Sequence, residues 1–207
     1  MEYRPVLALL VALAFTSLAP AQSRPGELFP QVRPVFVSPS TASAEELRAP
    51  LATPEDQRAF DKICAPIVAE AGKGDASDKS AAVELLRRKA ATPTMSVGVR
   101  RLALLAAFDL VFFKDTATTE ISTLAEELLT VLDGPTIALC SRQAQIRSDL
   151  FKSTDGHSRQ YPAGRVAQSV FQLAEAQFHA GALQDAQRSL VDGEAWANHD
   201  PTYLQIV

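Results

Sequence analysis

The chain reads as all-α, and three observations carry that reading. Apolar residues make up 47% of its 207 residues while aromatic ones make up only 7%, a balance weighted to Ala and Leu that suits closely packed helices better than a sheet of Val, Ile, Tyr and Phe. From residue 54 onward, apolar positions recur three and four residues apart in one segment after another. Between these segments stand Gly, Pro, Asp and Thr in orders that stop one helix and cap the next. The architecture expected is a set of antiparallel helix pairs stacked as a short solenoid-like array, preceded by a disordered Pro-rich arm.

The first element is a leader. Arg4 opens a short charged region, Val6 to Leu18 is apolar, and Ala19-Pro20-Ala21 places small residues where a signal peptidase requires them, predicting cleavage after Ala21. The apolar run is about thirteen residues, shorter than the roughly twenty that span a bilayer, so residues 1–21 read as a signal peptide with no stable membrane insertion after its removal. The expected location is periplasmic or secreted, in a bacterial-type protein. Residues 22–53 read as a Pro/Ser-rich linker. Proline fixes φ and restricts the residue before it, so no helix is expected there before Ala44 to Arg48.

Helical signals proper begin where Thr53-Pro54-Glu55-Asp56 puts a hydroxyl at the N-cap, proline at the first helical position and acids in the first turn. A helix is predicted from Pro54 to about Ala71, kinked at Pro66 and ended by Gly72 and Gly74. Asp75 to Asp78 cap a second helix, running through Ala91 until Pro93 stops it. A third, from about Ser96 to Val111, is apolar nearly all round and belongs at the centre of the packing of residues 54–111.

Residues 112–124 break the rhythm. Phe112 to Thr123 is rich in threonine, lacks a helical stripe and reads as a loop or irregular strand. Within it, Asp115 to Ile121 (DTATTEI), after Phe112-Phe113-Lys114, resembles the translation of a sequencing-library adapter. The match departs at Ser122, resumes at Thr123 and Leu124 and fails at Ala125. The segment therefore has two readings, an adapter-derived insertion or a Thr-rich loop. The resemblance implies that the flanks need not be contiguous in one natural gene.

Residues 125–207 return to helix. Thr123 to Glu126 fits a capping box, Leu124, Leu128, Leu129 and Leu132 form a stripe, and Asp133-Gly134-Pro135 is a stop. A helix from about Thr136 to Phe151 follows, then a polar loop from Lys152 to Pro162. Arg165 to Asn198 reads as a helical hairpin: Val166, Val170, Leu173, Ala174 and Phe178 on one face of its first helix, a break at Gly181, and Leu183, Ala186 and Leu190 inward in its second. Pro201 to Val207 reads as the first turn of a further helix, cut off.

The hairpin, from Ala167 to Asp200, resembles a tetratricopeptide repeat, whose period is about 34 residues. Gly181 matches the inter-helix glycine, Leu173 and Ala174 the paired apolar and small positions, Ala186 the small position of the second helix and Leu190 the large apolar one after it. Gln177 stands where the family usually has an aromatic residue, Gly193 where it has alanine, and Pro201 comes late. The resemblance implies a protein-protein interaction scaffold that binds a protein or peptide without catalysis. Its candidate partner-binding residues are polar ones on the first helix: Gln168, Gln172 and Glu175.

Chemistry is sparse elsewhere. A net charge of −4 with mixed signs leaves no electrostatic footprint for nucleic acid. His157, His179 and His199 lack metal-ligand spacing, so no metal and no cofactor is expected. Asp155, His157 and Ser158 are neighbours in one loop, which does not orient a triad. Gly72-Lys73-Gly74-Asp75 lacks the phosphate-loop pattern and suits a helix end. Cys64 and Cys140 are candidates for a disulfide in an oxidising compartment, or for two small buried apolar residues. The alternative function is an accessory helical region of a larger exported enzyme or envelope assembly whose catalytic part is missing.

Overall fold

Residues 39–112, 118–153 and 163–199 are described by the computed structural model, and among them every regular element is helical. A short 3-10 turn, Pro39–Thr41, leads into α1 (Ala44–Leu47), then come α2 (Pro54–Ile63), α3 (Ala65–Lys73), α4 (Ala76–Ala90), α5 (Val97–Phe112), α6 (Thr118–Val131), α7 (Ile137–Ser153), α8 (Ala163–His179) and α9 (Leu183–Asn198). The leader, residues 22–38 of the expected linker, residues 113–117 with the first part of the adapter-like stretch, the loop 154–162 that holds Asp155, His157 and Ser158, and the stretch from Asp200 to Val207 lie outside the described residues.

Local chemistry explains most boundaries. Thr53 caps α2 with a reciprocal capping box to Asp56, and Asp75 caps α4 in the same way with Asp78. Ser96 accepts from the Val99 amide at the start of α5, and Thr136 from the Leu139 amide at the start of α7. The expected single helix over 54–71 is two. It breaks at Cys64 (φ −110°), which leaves Pro66 in the first turn of α3, where its missing N–H costs no intrahelical bond.

A larger difference lies at 118–123, where α6 is helical rather than a loop or strand. Ile121, Ser122, Leu124 and Ala125 are buried, and that burial outweighs the weak helix propensity of the threonines.

Among the described residues, three bodies of apolar side chains organise the chain, the third being the groove around Leu47. The largest gathers Cys64, Leu86, Ala103, Leu104, Ala107, Phe108, Val111, Leu124, Leu128 and Leu132 from α2 to α6, together with Leu139, Ile146 and Leu150 of α7. On its other side α7 gives Ala144 to Val166 and Val170 of α8, with Phe151 edge-on to Trp196 of α9 at 5.2 Å. Helix α7 thus belongs to both ends of the molecule.

Polar ties reinforce the layers. Arg87 of α4 forms a two-pronged pair with Glu127 of α6. Arg101 of α5 donates to the Val131 carbonyl at the end of α6 (2.8 Å) and to the Leu51 carbonyl (3.2 Å). Gln143 of α7 donates to the Leu132 carbonyl at 2.8 Å. Carbonyls at the end of α6 are therefore capped by side chains of the helices on either side of it.

The end of the expected linker is docked. Leu47 is fully buried with Ile137 and Cys140 of α7 and Leu173, Ala176 and Ala180 at and beside α8, a burial that contributes about 2 kcal/mol. Arg48 donates to the Ala180 carbonyl, a contact across 132 residues of sequence. Leu51 packs against the larger core. Residues 39–53 form a strap from the α7–α8 groove to the larger core.

Candidate partner-binding face

The geometry of α8 starts from its C-terminal turn. Gly181 has φ +82°, a left-handed conformation that suits glycine, and the Ala182 and Gly181 amides bond back to the Gln177 (2.8 Å) and Phe178 (3.0 Å) carbonyls. This closes α8 with a Schellman turn and sends α9 back along it. The hairpin interior is tight. Ala174 and Ala186 are buried, the Ser189 hydroxyl donates to Gln177 Oε1 at 2.8 Å, and a Cβ on Gly193 would lie 2.5 Å from Phe171 Cε1.

Gln168, Gln172 and Glu175 fall at i, i+4 and i+7, so the helix aligns them in one row that His179 extends. Gln168 and Gln172 are half-buried. Glu175 is more enclosed than a surface acid, its side chain only 12% exposed, and His179 Nε2 lies 4.0 Å from its Oε1, an ion pair whenever the imidazole is protonated. The row is a partly covered seam, in which the two glutamines are the accessible members.

Beside this row runs the groove that takes the strap. Ala176 and Ala180 form its floor on α8, Ile137 and Cys140 its wall on α7, and Leu47 fills it. Nothing in the periodicity of the sequence marks Leu47 or Arg48, because a single helical turn with one apolar residue has no stripe. The signal available was the capping box, Ser43 with Glu46, immediately before Leu47-Arg48.

The two cysteines are free, buried thiols in separate apolar clusters, Cys64 in the larger core and Cys140 in the strap groove. Burial pushes the Cys64 thiol above its ordinary range. At Cys140 burial, then the carboxylates of Glu175 and Asp133, push the thiol up to about 12. Such groups are inert as nucleophiles at neutral pH. Among the described residues no three His, Cys, Asp or Glu side chains converge in a way that would hold a metal ion, and no helix is long and apolar enough to cross a membrane.

Comparison with protein-family models, with curated proteins and with solved structures found no match to this chain.

Proposed function

We propose that the chain is an exported helical-repeat protein that scaffolds a protein or peptide along α8 and performs no catalysis. The observation that carries this reading is the pair of half-buried glutamines, Gln168 and Gln172, one turn apart on the seam of α8. Each amide supplies both donors and an acceptor, the set that an extended peptide backbone requires. The α8–α9 hairpin supports the tetratricopeptide-like assignment through its turn at Gly181 and its close helix approach at Ala174 and Ala186. In place of the usual aromatic contact, Gln177 holds Ser189. Stacking of α3 on α4, α4 on α5, α5 on α6, α7 on α8 and α8 on α9 resembles the nearest-neighbour logic of repeat arrays, while α2 and α3 pack on α5 as well.

The test is a photo-crosslinking amino acid placed singly at Gln168, Gln172 and, as a control on the exposed side of α9, Arg188, with the protein expressed in its natural envelope. One shared adduct from positions 168 and 172 that is missing from 188 is the expected result. No adduct at either glutamine, or the same adducts from all three positions, overturns the scaffold reading.

A further inference from the structure

Residues 39–48 occupy the α7–α8 groove much as a bound peptide would. Their turn is shaped by its own side chains: the Ser43 amide donates to Glu46 Oε2 at 2.7 Å, and the Glu46 amide to Ser43 Oγ at 3.3 Å. Ser43, Ala44, Glu45 and Glu46 face solvent, while Leu47 is fully buried. Leu47 and Arg48 anchor α1, one in the apolar floor and one on the Ala180 carbonyl at the end of α8, while Ala42 packs on the same apolar cluster and the Pro39–Thr41 turn lies against α8.

We propose that this strap is a displaceable gate, and that the groove beneath it takes an outside peptide of the same chemistry, a short capped turn presenting an aliphatic side chain followed by arginine. The proposal rests on the scaffold reading and names the partner's chemistry. An aliphatic group is called for because Ile137, Cys140, Leu173, Ala176 and Ala180 offer no charged partner. A cation beside it is called for by the Ala180 carbonyl just past the end of α8, the acceptor that Arg48 now fills. The gate can lift locally. Pro50 is exposed, and Leu51 is held separately by the larger core and by Arg101, so release of Leu47 and Arg48 leaves the attachment at Leu51 intact.

A tethered occupant lowers the apparent affinity of a competing one in proportion to the time it keeps the groove closed. The full chain carrying Leu47→Ala and Arg48→Ala is therefore titrated into a fluorescein-labelled peptide of residues 39–51, beside the unaltered chain. The expected result is binding by the variant at least about tenfold tighter than by the unaltered chain, and none by the Leu47→Ala version of the peptide. Equal binding by the two chains, or no binding by a variant that retains its helical circular dichroism, overturns the gate. Should the variant fail to fold, hydrogen exchange on the unaltered chain gives the answer. Amides of residues 46–49 exchanging well before those of α8 support local opening, and exchange only with global unfolding overturns it. An unaltered chain that runs as a dimer and binds the peptide only as the dimer dissociates assigns the groove to a second copy, which also overturns the proposal. Because the peptide assay needs no natural partner, its failure is separate from failure of the crosslinking test.

Discussion

Gly193 sits against the ring of Phe171 so closely that an added Cβ would lie 2.5 Å from Cε1 and 2.7 Å from Cδ1. An added methyl at 193 therefore forces the half-buried Phe171 ring or the α9 backbone to shift. Gly193→Ala is expected to destabilise the fold by about 1–3 kcal/mol through overpacking, even though alanine is the better helix former, and urea denaturation monitored at Trp196 measures it. A gain in stability would show that α9 can move away from α8 at no cost. The cysteines make a second residue-scale case. Both are buried and free, and the Cys140 thiol is pushed up to about 12, so neither is expected to react with a thiol reagent at pH 8 while the chain is folded. Alkylation after denaturation without reductant is expected to add two groups, whereas none would mean that the two thiols had been joined.

Asp56 shows how one side chain couples two elements. Its Oδ2 accepts from the Thr53 amide (2.9 Å) and hydroxyl (2.8 Å) in the capping box of α2, and its Oδ1 accepts from Ser96, which in turn receives the Val99 amide of α5. The Ser96 hydroxyl first, then the Thr53 amide and hydroxyl, hold this carboxyl below its ordinary 3.8. Gly98 leaves room for it, since a Cβ there would lie 2.2 Å from Oδ2. Because the folded carboxylate is harder to protonate than the unfolded one, its contribution to stability is complete above 3.8 and is lost as the pH falls from there through the lowered folded value. Stability of the unaltered chain minus that of Asp56→Asn is therefore expected to be positive at neutral pH and to vanish in acid. A pH-independent difference would assign the effect to geometry alone. The α2 half of this junction was legible, because Thr53-Pro54-Glu55-Asp56 is a local start signal, and so were Asp75, the stop at Asp133-Gly134 and the turn at Gly181. The link to Ser96 was not, since two residues forty apart meet only after α2 packs on α5. The same reason hid the helix at 118–123: its threonines favour other conformations, and only burial of Ile121 and Leu124 against the larger core decides for helix. At the candidate site, the spacing of Gln168, Gln172 and Glu175 was readable, whereas the strap beside them depends on a contact across 132 residues of sequence.

A simple repeat array has contacts only between neighbours, and its ends can unfold separately. Two features tie this molecule together more firmly. Helix α7 contributes Leu139, Ile146 and Leu150 to the core of α2 to α6 while Ala144 and Phe151 pack toward α8 and α9, and the strap joins α8 to the core near Arg101. The sequence contains one tryptophan, Trp196, which lies against Phe151 at the α9 end, so its fluorescence reports that end while far-ultraviolet circular dichroism reports all the helices. Coincident urea midpoints from the two probes are expected, the mark of a single cooperative unit. Ile146→Ala, at a side chain 1% exposed, is expected to lower both together by about 2–5 kcal/mol. If the fluorescence midpoint instead stayed in place while the dichroism midpoint fell, the α8–α9 hairpin would hold its structure without α2 to α6. The strap would then be a contact between independent parts rather than a tie within one.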